Sequence, residues 1–124
     1  HTDYGLITLL ATDGVAGLEI QKKDGGWLPI NSPKGSLIVN LGDMLARWTN
    51  DRYCSTPHRA RTPEQGSRYS IPFFINPDPT VVIEVIDSCV NDENLNRYKP
   101  ITAGAYLASR IDSDNEPYIK NDLT

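Results

Sequence analysis

Apolar and polar residues alternate in short runs, and Gly, Pro, Asn and Asp interrupt them roughly every ten residues. That spacing predicts an all-β sandwich or barrel. Leu6-Ile7-Thr8-Leu9-Leu10-Ala11 is β-prone and nearly all apolar, the pattern of a strand buried on both faces. Thr12-Asp13-Gly14 ends it. Leu18-Glu19-Ile20-Gln21-Lys22 alternates cleanly, with one face in and one out. Asp24-Gly25-Gly26 predicts a tight hairpin turn, because glycine accepts positive φ without steric cost. Trp27-Leu28-Pro29-Ile30 is its partner strand, and Pro29 puts that strand at an edge or at its own end.

Leu37-Ile38-Val39-Asn40-Leu41 predicts the next strand, broken by Gly42-Asp43. Asp43 is the predicted cap of a short helical turn through Met44-Leu45-Ala46-Arg47-Trp48, which Thr49-Asn50-Asp51 stops. Residues 52–55 and 59–62 read as strand on either side of Pro57. Residues 69–75 and 81–86 are two further strands, joined by the rigid loop Asn76-Pro77-Asp78-Pro79. Residues 87–99 are polar and read as loop. Thr102 is the predicted cap of a short helix over residues 105–110, whose apolar side (Ile101, Ala105, Leu107, Ala108) is expected to cover part of the sheet. Residues 112–124 read as a polar tail. The sum is about seven strands and one terminal helix, one strand short of an eight-stranded jelly roll.

At 124 residues the chain suits one domain, and its 39% hydrophobic and 23% charged content is that of an ordinary globular protein. The net charge of −4 provides no basic surface of the kind that binds nucleic acid. Arg59, Arg61 and Arg68 cluster locally, and for Arg59 and Arg61 the expectation is a solvated strand face. No apolar run approaches the roughly 18–20 residues that span a bilayer, so no membrane partner is expected. Cys54 and Cys89 lack metal-type spacing and are expected as free thiols in a reducing cytoplasm.

The chain holds only two histidines, His1 and His58. His1 and Asp3 lie one residue apart and can offer a neutral nitrogen and an anionic oxygen to one divalent ion. Two histidines and a carboxylate, with no thiolate, form the ligand set of a non-haem Fe(II) site that leaves positions open for substrates. About four or five predicted strands separate Asp3 from His58, and in a jelly roll such strands meet at one mouth of the barrel. Arg68 and Ser70 share a strand face. Together they present a guanidinium fork and a hydroxyl, which suit a carboxylate. An arginine inside a barrel needs an anion, and a dicarboxylate with its other end on a metal would provide one.

These residues carry a resemblance. His1-Thr2-Asp3, His58 and Arg68-Tyr69-Ser70 resemble the His-x-Asp … His triad and Arg-x-Ser motif of the Fe(II)- and 2-oxoglutarate-dependent dioxygenases of the isopenicillin N synthase-like superfamily. Residues 3–10, 39–44, 55–59, 69–74 and 102–107 are similar to further stretches of that family, so the likeness runs to about Arg110. It implies a double-stranded β-helix over residues 1–111. It also implies Fe(II) on His1, Asp3 and His58, with 2-oxoglutarate held by Arg68 and Ser70. O2 would be the oxidant and a small molecule the substrate. The implied reaction is oxidation of a C–H bond, most simply hydroxylation, coupled to conversion of 2-oxoglutarate to succinate and CO2. Leu10, Phe74 and either Ile71 or Phe73 are the expected apolar lining. Asn40 either faces the cosubstrate or bonds backbone near Gly42.

The family's N-terminal region and first barrel strand are absent from this sequence. The expectation is therefore a fragment of the C-terminal half that turns over little alone. Two rival readings remain: a non-catalytic jelly-roll binding module, and a copper oxygenase using an N-terminal histidine. The prime substrate and the oligomeric state are not legible.

Overall fold

A computed structural model describes residues 1–115, with side chains through Asp112. In chain order the elements are β1 (Ile7–Thr12), β2 (Leu18–Gln21), β3 (Trp27–Pro29), β4 (Leu37–Leu41), α1 (Asp43–Trp48), β5 (His58–Ala60), β6 (Ser70–Ile75), β7 (Val82–Ile83), β8 (Ile101–Thr102) and α2 (Ala103–Asn115). Every strand pair is antiparallel. The sheets run β4-β1-β6, β3-β2-β5 and β7-β8. The apolar β1 is central because both of its edges find a partner. Pro29 lies on the edge strand β3, where a missing N–H costs no ladder bond.

Alternation along the strands turns one face of each three-stranded sheet toward the other. Thr8, Leu10, Ile38, Asn40, Ser70, Pro72 and Phe74 come from the first sheet, and Leu18, Ile20, His58 and Ala60 from the second. The space between them is a cavity of about 420 Å³ rather than a packed core, within the size range of small-molecule sites. This is a jelly roll with a hollow centre. The buried apolar cluster lies beside it: Met44, Ile83 and Ala103, with Trp48, Val81, Ile101, Tyr106 and Leu107 packed around them.

Several expectations change. Residues 52–55 form a bend and a loop, not a strand, because α1 is followed by Asn50 and Asp51, both at positive φ (52° and 63°). Asp43 does not cap α1. It is the first helical residue, Gly42 is the N-cap, and the Asp43 carboxylate instead accepts from Thr2 Oγ1 and Arg110. The strand expected over 81–86 shortens to Val82–Ile83 and pairs with β8, which brings the strand number to eight among the described residues. Thr102 does cap α2, accepting from the Ala105 N–H at 3.3 Å. However, α2 continues to Asn115, into the expected tail, and buries Ala103, Tyr106 and Leu107 while Ala105 and Ala108 stay exposed. Residues 116–124 of that tail lie outside the described residues.

β1 is covered on one face only. Ile7, Leu9 and Ala11 share the outer face with Leu37, Val39, Leu41, Ile71, Phe73 and Ile75. Leu37, Val39, Ile71 and Phe73 are exposed there. Ile71 and Phe73 therefore point away from the cavity that Pro72 and Phe74 line. The loop expected over 87–99 is held by one buried side chain. Asn50 Nδ2 donates to the carbonyls of Cys89, Asn94 and Leu95, and its Oδ1 accepts from the Arg97 N–H.

Candidate active site

The first six residues are threaded between α1 and β5 by backbone bonds. Asp43 N–H donates to the Asp3 carbonyl at 2.7 Å, and Gly42 N–H to the Leu6 carbonyl at 3.0 Å. Met44 N–H is shared between the Tyr4 and Gly5 carbonyls at 3.2 and 3.1 Å. This close approach needs a glycine at position 42, since a Cβ there would overlap the Gly5 carbonyl oxygen. On the other side, His58 N–H donates to the His1 carbonyl at 2.9 Å. β5 is fixed in turn on β2, where Arg59 Nε meets the Glu19 carboxylate at 2.6 Å and the guanidinium stacks over Trp27. Arg59 thus belongs to an outer strand face, as its sequence context suggests. Glu19 is held below the usual carboxylate range by the hydrogen bond from Arg59, with the Arg59 and Arg61 charges adding to it.

Asp3, His1 and His58 converge. Asp3 Oδ1 is 3.6 Å from His1 Nε2 and 3.5 Å from His58 Nε2, and the ligand atoms of the three residues all lie within 4.8 Å of one another. The two imidazoles meet edge to face with centroids 4.4 Å apart. His58 Nδ1 faces the Thr56 carbonyl at 3.2 Å. A carbonyl only accepts, so Nδ1 is the donor in this contact, and Nε2 is the nitrogen turned toward Asp3. The Asp3 and His58 side chains are 9% and 16% exposed and His1 is 68% exposed, so His1 forms the open side of the group. On a metal with bonds of about 2.1 Å, neighbouring ligand atoms stand about 3 Å apart. The 3.5 and 3.6 Å spacings to Asp3 are wider than that, and all three pairs lie within 4.8 Å, so the side chains would close inward around an ion. Two imidazoles and one carboxylate on one side of it suit Fe(II) with open positions.

The other Asp3 oxygen is occupied. Thr8 Oγ1 and Asn40 Nδ2 each donate to Oδ2 at 2.7 Å. Asn40 thus lines the cavity and bonds the Asp3 carboxylate rather than backbone near Gly42. Thr8 is buried at 6% exposure. Its signal in the sequence is a lone hydroxyl inside the apolar run of residues 6–11.

Arg68 and Ser70 line the same cavity as the three candidate ligands. Arg68 Nε donates to the Val15 carbonyl at 3.2 Å and its NH1 group to Ser70 Oγ at 3.4 Å. The side chain passes Gly17, where a Cβ would come within 2.9 Å of Arg68 Cδ. Arg68 is half-buried and Ser70 exposed, not deep in the barrel as expected. Among the described residues no carboxylate forms an ion pair with Arg68.

The family model described as the 2OG-Fe(II) oxygenase superfamily matches residues 1–77. The chain belongs to that superfamily. Among relatives of this oxygenase chain, a 2-oxoglutarate-Fe(II) type oxidoreductase, hxnY of Emericella nidulans, is 41% identical over 115 residues. That match covers 88% of this chain and 33% of the relative. Scopoletin 8-hydroxylase of Arabidopsis thaliana is 36% identical over 107 residues, covering 86% of this chain and 30% of that one. The chain thus spans about a third of the length of these curated relatives. A full-length Neurospora crassa protein, solved in complex with alpha-KG and thymine, superposes with a TM-score of 0.84 at 38% identity, over 92% of this chain and 36% of that one. A 2OG-Fe(II) oxygenase family protein of Caulobacter crescentus gives a TM-score of 0.87 at 41% identity, over 92% and 39%. No helix among the described residues is long and apolar enough to cross a membrane.

Proposed function

We propose that this chain is the cofactor-holding part of a 2-oxoglutarate- and Fe(II)-dependent dioxygenase that oxidises a small-molecule C–H bond, most simply by hydroxylation. The observation that carries the reading is the convergence of Asp3 Oδ1, His1 Nε2 and His58 Nε2 in a cavity that Arg68 and Ser70 also line. His1, Asp3 and His58 would hold Fe(II). Arg68 and Ser70 would take the distal carboxylate of 2-oxoglutarate. When bound, iron with 2-oxoglutarate and O2 supplies the oxidising power, and the products are succinate, CO2 and an oxidised substrate. A reducing cytoplasm is the compartment this reading assigns, in keeping with the free thiols of Cys54 and Cys89.

The chain's own contribution is positional. His58 offers Nε2 because Thr56 engages Nδ1. Among the described residues the Arg68 guanidinium makes no ion pair and bonds the Ser70 hydroxyl, which suits it to a planar anion. Leu10, Leu18, Ile20, Ile38 and Phe74 give the cavity apolar walls suited to a small organic substrate.

Anaerobic titration of the 124-residue chain with Fe(II) and then 2-oxoglutarate tests the reading. A weak visible charge-transfer band is expected on adding the oxo acid and should be lost in His58→Ala. A band that survives His58→Ala refutes the ligand assignment. A site that binds both components while the complete polypeptide releases no succinate favours the non-catalytic binding module.

A further inference from the structure

Asp3 is held more firmly than a metal ligand requires. Its Oδ2 accepts from Thr8 Oγ1 and Asn40 Nδ2 at 2.7 Å each, short and charge-assisted. Thr8 and Asn40 are direct cross-strand partners on β1 and β4, so both donors reach the oxygen from one level of the sheet. Burying the Thr8 hydroxyl unbonded would be unfavourable, and Asp3 is the partner that removes this cost. Only Oδ1 is left facing the two imidazoles.

We propose that Thr8 and Asn40 are positioning residues that restrict Asp3 to one metal-binding oxygen, and that Asn40 is not a cosubstrate ligand. This rests on the metal reading above. A second Asp3 oxygen on the metal would take up room that the 2-oxo acid and O2 would need. With both lone-pair directions of Oδ2 used by donors from adjacent strands, the carboxylate cannot swing to present it.

The test compares the wild-type chain with Thr8→Val, Thr8→Ser and Asn40→Ala. Three readouts are needed: Co(II) affinity and the Co(II) absorption spectrum under nitrogen, 2-oxoglutarate affinity of the metal-loaded chain, and the melting temperature of the metal-free chain. Thr8→Val and Asn40→Ala should each weaken Co(II) binding about 10–100-fold, the usual cost of losing a group that orients a ligand. Their Co(II) bands should shift in energy and intensity as the second oxygen enters. Thr8→Ser should restore both properties. Metal-free Thr8→Val should keep a cooperative melting transition, lowered only by the one hydrogen bond it loses. Unchanged Co(II) affinity and spectrum in Thr8→Val overturn the proposal, as does an Asn40→Ala chain that loses 2-oxoglutarate binding while keeping Co(II). Failure of the wild-type chain to bind Co(II) at all would instead sink the metal reading itself. The Thr8→Val and Thr8→Ser pair keeps the question decidable if Asn40→Ala does not fold.

Discussion

Replacing Gly42 by alanine should damage folding and the metal group together. Gly42 is buried with φ −95° and ψ 175°, extended backbone that alanine adopts freely, so the whole cost is contact. The new Cβ would overlap the Gly5 carbonyl oxygen and stand 2.9 Å from the Asp3 carbonyl oxygen. These are backbone atoms, and no rotamer change moves them aside. Relief requires residues 3–5 to lift from α1, which breaks the bonds donated by Gly42, Asp43 and Met44. At about 1 kcal/mol each these bonds total about 3 kcal/mol, and overpacking a well-filled site costs about 1–3 kcal/mol by a separate route. Urea denaturation should therefore show a loss of about 3 kcal/mol, as a lower midpoint at unchanged slope. Co(II) affinity should fall at least about tenfold, because Asp3 moves with its backbone. Gly14→Ala is the control. Gly14 has φ +87° and open space within 4 Å of the methyl that alanine would add, so only left-handed strain of about 1–2 kcal/mol applies and the metal site is untouched. Equal losses in the two variants, with Co(II) affinity unchanged in Gly42→Ala, would refute the reasoning.

Arg68→Ala should weaken 2-oxoglutarate binding about tenfold or more while sparing Co(II), measured by calorimetry on the metal-loaded chain, because it removes a charge-assisted anion contact and no ligand. Glu19 has a depressed pKa in the folded chain, from the Arg59 hydrogen bond first and the Arg59 and Arg61 charges second. Its stabilisation is therefore complete above the ordinary carboxylate range and lost as pH falls through the lowered folded value. Glu19→Gln should reduce stability at neutral pH and flatten the acid side of a stability–pH curve, with His58 resonances broadening as β5 loosens from β2. Asn50→Ala should cost about 1–3 kcal/mol, since it removes the buried amide that bonds the Asn94 and Leu95 carbonyls and the Arg97 N–H. Amide exchange should accelerate across residues 87–97.

The candidate ligands were legible because their chemistry is restrictive. With only two histidines in the chain, a two-histidine group had one possible pair, and Asp3 stood out because it lies one residue from His1. Arg68 and Ser70 followed from strand alternation, which needs no knowledge of register. What register decides was not legible. Ile71 and Phe73 share a parity, and nothing local says whether that parity faces the cavity, because a shift of one residue flips every side chain. The same ambiguity hid the pairing of Thr8 with Asn40, although a lone hydroxyl in an apolar strand was the visible clue. β8 is two residues long, too short for any period to show. α2 and its Thr102 cap were legible, but its buried face was not. Its buried stripe runs through Ala103, Tyr106 and Leu107 at helical spacing, and tyrosine does not register as apolar when only aliphatic residues are counted.

The placement of the buried cluster explains how a hollow barrel can hold together. A cavity of about 420 Å³ occupies the place of a core, so the facing sheets contribute less burial than their apolar content suggests. Met44, Ile83 and Ala103 supply a compact core outside the barrel, where a ligand can enter the cavity without competing for it. α1 joins the two regions. Met44 fills the external core with its side chain, while its N–H and that of Asp43 fix the carbonyls of Tyr4, Gly5 and Asp3. The Asp3 carboxylate is therefore anchored from two directions, its backbone by a helix seated in the core and its Oδ2 by the strand pair β1 and β4. His1 has neither anchor for its ring and is the most exposed of the three. On this division the site should lose His1 first when the fold is loosened, and Asp3 last.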